Sequence, residues 1–287
     1  MMDVSILGCL EVGRGGRSIV PSAAKPKTVL AVLAVRAPAV VAVSTLLEEL
    51  WEVHPPSTAV TALQTYVLQI RNLIAALPEL GHREEAKQVL SHQDGGYRLW
   101  TGGGSVDVER FEWCAAAGRR ALARRDCAAA AECFHDALRV WRGVPLVDVE
   151  AGPLLSAEVA RLEAARLEVL SGWFEADLRL GRYSWRVGDL AALSVRHPTH
   201  ERVQGLYMIA LLGSGRRDRA LEVYHRLRCT LKQELGTEPS LACRRIQHLV
   251  LDAPAARDGR PDGPRLALDE LAVEVAIPPG AGRAAVR

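Results

Sequence analysis

Apolar residues recur at steps of three and four across residues 57–77, STAVTALQTYVLQIRNLIAAL, where Val60, Leu63, Val67, Ile70 and Ile74 fall on one stripe of a 3.6-residue helix. The same rotation carries Thr58, Thr61, Thr65, Gln69 and Asn72 to the opposite side, with Gln64 and Arg71 on the flanks. None of the five opposite residues is charged. A helix face that only meets water usually carries Glu and Lys, whereas Thr and Asn are weaker helix formers. Two readings share these residues. One is a face that bonds to base edges, in which Gln and Asn pair two-point with adenine and Thr offers a hydroxyl to bases and a methyl to thymine. The other is the polar surface of a helix bundle.

Upstream, the apolar runs VSILGCLEV and RSIV around GRGG predict short strands over residues 4–20. A helix is expected over about 25–35, with Val29, Leu30, Leu33 and Ala34 on its apolar side. Lys25 and Lys27 lie in its first turn, where the helix dipole disfavours cations. A phosphate held there would account for them, as would simple solvation. Residues 39–43 form a β-branched run, and Ser44 is the expected cap of a short helix ending at Trp51. The loop VHPP then leads into 57–77, giving a helix-turn-helix order. A hairpin is expected from 88–91, the turn QDGG and 97–100, in the position of a wing. Lys87, His92 and Arg98 are its candidate phosphate contacts, and Tyr97, Leu99 and Trp100 its expected core.

Thr101 to Ser105, TGGGS, reads as a flexible link, and strand signals nearly vanish from Asp107 onward. Ala130, Phe134 and Ala137 repeat the spacing of Ala220, Tyr224 and Leu227. Gly181 and Gly215 lie one 34-residue period apart, which is the tetratricopeptide period. Trp185 is expected in the core, and an amphipathic helix is expected around 159–180. After Asp252 the chain turns rich in Pro, Gly and Arg and reads as disordered, with LALDELAVEVAI inside it as a short helix or strand formed on a partner.

Composition changes this picture little. The chain has 287 residues and a formal charge of +2, and residues 1–104 hold nine basic and nine acidic side chains, so any basic footprint is local. Six cysteines without a CxxC pair and without a signal peptide suggest reduced thiols in the cytosol. The run VLAVLAVRAPAVVAVSTLL is interrupted by Arg36 and Pro38, which argues for two core segments and no membrane span. Phosphate-loop, HExxH, GxSxG and dinucleotide patterns are missing, and GGGS at Gly102 lacks the lysine of a phosphate loop. His197 and His200 have no Cys or carboxylate cluster to complete a metal site. No enzyme, metal or cofactor is expected.

AKPKTVLAVLA, LQTYVLQIR, GGYRL, DVERFE, ALRVWRGVPLVDV, EADLRLGRY and LRCTLKQELGTEPS together resemble the Streptomyces antibiotic regulatory protein family, over residues 4–251. The resemblance implies an α+β fold with an N-terminal, OmpR-like winged helix-turn-helix in residues 1–104. An all-α, tetratricopeptide-like bacterial transcriptional activation domain follows in 105–252, with a tail in 253–287. It also implies the short form of the family, without the ATPase of larger members. Such proteins bind direct repeats in double-stranded promoter DNA as side-by-side pairs, recruit RNA polymerase to genes of secondary metabolism, and act in the cytoplasm at the nucleoid. On these residues Thr58, Thr61, Gln64, Thr65, Gln69 and Asn72 become the expected base readers. Lys25, Lys27, Tyr66, Arg71, Lys87 and Arg98 become the expected phosphate contacts. Gln64, Thr65, Tyr66 and Arg71 match the family's central helix, and Lys25 and Lys27 its basic helix start. Asn72 and Val60 stand where basic residues are frequent. The alternative is an adaptor whose winged helix binds DNA weakly or only with a partner.

Overall fold

The computed structural model describes residues 2–77, 83–252 and 262–275. Contacts divide the chain into two compact units, one of residues up to 116 together with 135–169, the other of 117–134 together with residues from 170 onward.

The first unit opens with an antiparallel sheet of β1 (Asp3–Ser5), β2 (Glu11–Arg14) and β3 (Arg17–Ser18). Helix α1 (Ala24–Arg36) follows, buried at every position from Thr28 to Ala34, as its unbroken apolar run requires. Pro26 fits in its first turn, where no intrahelical N–H is needed. The helix stops at Arg36, two residues before Pro38, so the apolar run is split as its sequence implies, and no helix among the described residues is long and apolar enough to cross a membrane.

Strand β4 (Val40–Ala42) leads into α2 (Val43–Trp51), then α3 (Ala59–Ala75), α4 (Arg83–Val89), β5 (Leu90–Gln93) and β6 (Gly96–Leu99). The second sheet has the order β4-β6-β5, antiparallel throughout, so the wing hairpin is anchored to the strand that precedes the helix-turn-helix. Its turn has positive φ at Asp94 and Gly95, as a tight two-residue hairpin turn demands.

Several expectations are corrected here. Ser44 is not a cap: α2 starts one residue earlier, and the Val43 amide donates to Gly95 O of the wing turn at 3.1 Å. Val60 is 49% exposed and Ala59 takes its place at 4%, because rotation aligns Ala59 with Leu63 and Ile70 and leaves Val60 at the edge of the stripe. Trp100 is exposed because strand alternation puts it on the side of Arg98, opposite buried Tyr97 and Leu99. Thr101 to Ser105 is no flexible link, since it runs along β1: Met2 N donates to Thr101 O, Val4 N to Ser105 O, and Asp3 accepts from the Ser105 amide and hydroxyl. A Cβ at Gly104 would collide with the Met2 carbonyl, so the glycine run is there for close backbone approach.

Helices α5 (Asp107–Ala123), α6 (Cys127–Arg139) and α7 (Pro153–Arg179) each pass through both units. In the second unit, Phe134 of α6 fills the gaps at Gly118 and Gly172, where added Cβ atoms would lie 2.6 and 2.8 Å from its ring. Helices α8 (Tyr183–Arg196), α9 (Glu201–Gly213) and α10 (Arg217–Glu234) continue the helical pairs. Gly181 and Gly215, at φ 78° and 75°, end α7 and α9 in the left-handed conformation that L residues disfavour, so the 34-residue period marks equivalent helix ends. Ala220, Tyr224 and Leu227 are buried as spaced. Trp185 is 78% exposed and not core: α8 buries Val187, Leu190, Leu193 and Ser194, and Trp185 faces the other way.

After α11 (Leu241–Asp252), residues 262–275 form α12 (Asp262–Val275), so the segment expected to fold as a short helix or strand on a partner is helical within the chain itself. Ala267, Leu268 and Leu271 are buried, Leu271 lies over Gly205, and Asp269 and Glu270 pair with Arg179 and Arg245 at 2.8 Å each. The rest of the tail expected to be disordered, 253–261 and 276–287, lies outside the described residues.

Candidate nucleic-acid interface

Thr58 at the N-cap of α3, and Thr61, Gln64, Thr65, Gln69 and Asn72 on the helix, are exposed. The stripe beneath them, Ala59, Leu63, Val67, Ile70 and Ile74, is buried, so the apolar side fixes which side is free. The Thr65 hydroxyl donates to Thr61 O at 3.0 Å, which uses its proton and leaves oxygen lone pairs to accept. A base contact by Thr65 therefore calls for an exocyclic amine of adenine or cytosine.

Three contacts brace this helix. Tyr66 stacks on Trp51 at the end of α2, ring centroids 6.4 Å apart, and the Lys25 ammonium sits 4.6 Å from the centre of the same Trp51 ring. The start of α1, the end of α2 and the middle of α3 thus meet on one indole, a junction with no periodic signal in the sequence. On the other side, Arg71 donates through Nε to Leu90 O at 3.0 Å, tying α3 to the first wing strand. In the wing, the Tyr97 ring meets His92 edge-on, and the half-buried Arg98 guanidinium lies 5.7 Å from the centre of the Trp100 ring.

The expected phosphate contacts are therefore not equivalent. Lys27 pairs with Asp148 at 3.1 Å and also donates to the Asp148 carbonyl, which explains a cation in the first turn of α1 without any external anion. Lys87 pairs with Glu84 at 2.7 Å on exposed surface. Lys25 borders a cavity of about 280 Å³ lined also by Glu49, Glu52 and Glu150, of which Glu49 is taken up by the amides of Gly152, Leu154 and Leu155.

Residues far along the chain hold the helix-turn-helix in place, and sequence reasoning had no signal for them. Glu49, 5% exposed, accepts from the amides of Gly152, Leu154 and Leu155 at 2.8, 2.7 and 3.1 Å. Its carboxylate caps the start of α7 from outside that helix, where anions are favoured. Thr28 donates to Glu150 O at 2.9 Å. Asp148 accepts from Leu10 N at 2.8 Å; burial works against its charge, but that amide and the Lys27 ammonium hold its carboxyl below the usual value. Asp107 accepts from Ile6 N and Leu7 N, both at 2.8 Å, yet burial outweighs these bonds and pushes its carboxyl up. Arg142 N donates to Leu7 O and its side chain bridges to Glu11 at 2.5 Å.

His200, one of the two turn histidines, caps α9 by accepting from the Val203 amide at 3.3 Å. Among the described residues no three His, Cys, Asp or Glu side chains gather as metal ligands.

Residues 106–251 match the model of the bacterial transcriptional activator domain. The chain is 44% identical over 272 residues to regulatory protein DnrI of Streptomyces peucetius, covering 94% of this chain and 100% of that one. It is 32% identical to transcriptional regulator RedD of Streptomyces coelicolor, over 92% of this chain and 76% of that protein. Regulatory protein AfsR of the same organism is 31% identical over 88% of this chain, which spans 24% of AfsR. Among solved structures, Mycobacterium tuberculosis EmbR in complex with a low affinity phosphopeptide superimposes with a TM-score of 0.81 at 29% identity, covering 96% of this chain and 70% of that one.

Proposed function

Because the chain belongs to the Streptomyces antibiotic regulatory protein family, we propose that it is a sequence-specific DNA-binding activator of transcription of a secondary-metabolite gene cluster. One observation carries this reading: the uncharged, outward face of α3, braced by Trp51 beneath Tyr66 on one side and by the wing on the other. In the proposed complex α3 lies in the major groove, with Thr61, Thr65 and Asn72 toward the base edges and Thr58, Gln64 and Gln69 beside them. Arg98 and Lys25 grip phosphates. Tyr66 and Arg71 hold the helix at its working angle, and Lys27 and Lys87 reach DNA only by leaving Asp148 and Glu84. The same reading gives residues 1–104 to DNA recognition and 105–252 to activation, with protomers paired side by side on direct repeats at the nucleoid and RNA polymerase as the partner recruited. The relatives are transcriptional regulators, and no catalytic step is assigned.

Gel shifts with promoter fragments of the gene cluster, followed by transcription in vitro with RNA polymerase, test this. Retarded complexes that compete with specific but not random duplex, and added transcript, are expected. Unchanged binding by a Gln64→Ala, Arg71→Ala double variant defeats the assignment of α3.

A second reading has its own support: the internal pairing of Lys27 and Lys87, and the carbonyl held by Arg71, leave few cations for phosphate. In that reading the chain is an adaptor that meets DNA only with a partner, and promoter binding appears only when polymerase is added.

A further inference from the structure

The face of α3 contains one residue that base hydrogen bonding does not explain. Leu68 is 56% exposed. At 100° per residue it lies about 140° from the buried stripe, whereas the other exposed apolar residues of the helix, Val60 and Leu73, lie only about 60° and 80° from it. Those two are the shoulders of the core. Leu68 is an isolated large apolar side chain within the polar face.

Its neighbours sharpen the point. Residues three and four away on a helix are adjacent, and for Leu68 these are Gln64, Thr65, Arg71 and Asn72. Each is polar, and three are exposed. A water-facing helix gains nothing from leucine there beyond helix propensity, which Gln or Lys would match. In the major groove the one apolar feature on base edges is the C5-methyl of thymine. We infer that Leu68 is a specificity-determining residue that packs on a thymine C5-methyl, flanked by the base hydrogen bonds proposed for Gln64, Thr65 and Asn72. This rests on the proposed DNA-binding function and adds to it a base identity within the contact.

The test removes the thymine methyl group from one partner or truncates the leucine side chain of the other. A duplex is selected from a randomised pool by the full chain, and each thymine is replaced in turn by deoxyuridine, which differs only in lacking the C5-methyl. Affinity is measured for the wild-type chain and for Leu68→Ala. Losing a buried methyl weakens binding about fourfold, so one thymine per half-site should show that loss with the wild-type chain and none with Leu68→Ala. Leu68→Ala lies on the exposed face, and an unchanged melting temperature shows that its effect is on binding. If deoxyuridine weakens both proteins equally at every position, or neither at any, the inference is overturned while DNA binding stands. If no duplex is selected, the functional reading falls first, and this inference with it. If Leu68→Ala binds DNA normally but loses transcription with polymerase, Leu68 belongs to a protein contact and the thymine assignment is wrong.

Discussion

Replacing Glu49 tests whether a side chain of the helix-turn-helix holds the start of α7. Its two oxygens take three amides: Oε1 those of Gly152 and Leu155, Oε2 that of Leu154. Glu49→Ala strands all three donors. A buried donor left without a partner costs about 1–3 kcal/mol; the Leu154 amide is partly open to water and cheaper, so the sum is about 3–4 kcal/mol. Glu49→Gln keeps one acceptor oxygen for Gly152 and Leu155, but sets its amide nitrogen against the Leu154 N–H and removes the charge favoured at a helix start; this costs about 1–2 kcal/mol. The order wild type, Gln, Ala should appear in urea unfolding followed by circular dichroism. Hydrogen exchange should locate it, with Gly152, Leu154 and Leu155 losing protection first. Gly152→Ala should reproduce the effect, because a Cβ there meets the Glu49 carbonyl and lies 2.8 Å from its carboxyl carbon. If Gln and Ala both fall within about 0.5 kcal/mol of wild type and exchange at the three amides is unchanged, the capping account is wrong, since cap losses are normally larger.

Lys25→Ala should lower the slope of log affinity against log salt by about one per protomer, while Lys27→Ala leaves it unchanged because Asp148 already neutralises that lysine; equal slopes would refute the distinction. Because the Asp148 carboxyl is held below its usual value of 3.8, its contribution is complete above that value and disappears as pH falls through the lower folded-state value; acid unfolding of Asp148→Asn should lack this component. Leu271→Ala should destabilise the second unit by about 2–4 kcal/mol through the gap left over Gly205, and a thermal melt equal to wild type would show that α12 does not seal it. Gln69→Ala should relax base preference with little change in non-specific binding, whereas Arg71→Ala should weaken binding to all sequences as the wing loosens, both read by gel shift against mismatched duplexes.

Periodicity makes α3, the wing and the glycine-marked helix ends legible in the sequence, because those features depend on neighbours within one element. Val60 and Trp100 were misplaced by a single step of rotation or alternation, a matter of where an element begins. Lys27 and Glu49 were illegible for a different reason: their partners Asp148 and Gly152 lie more than a hundred residues downstream, and a lone charge in sequence gives no direction to its partner. The Lys25–Trp51–Tyr66 junction joins three helices through contacts that no repeat announces. Leu68 lies outside the apolar stripe that periodicity marks, and its exposure sets it apart.

The anchors around residues 140–155 bear on how regulators of this kind can be recombined. In the gene, the part proposed to read DNA looks detachable at a single crossover near residue 104. In the folded chain that cut would strip the Asp107, Asp148 and Thr28 bonds and uncap α7. A chimera that keeps the first unit whole needs three junctions, inside α5, α6 and α7. Swapping DNA specificity between family members should therefore succeed more often by repainting the outward face of α3 than by exchanging domains.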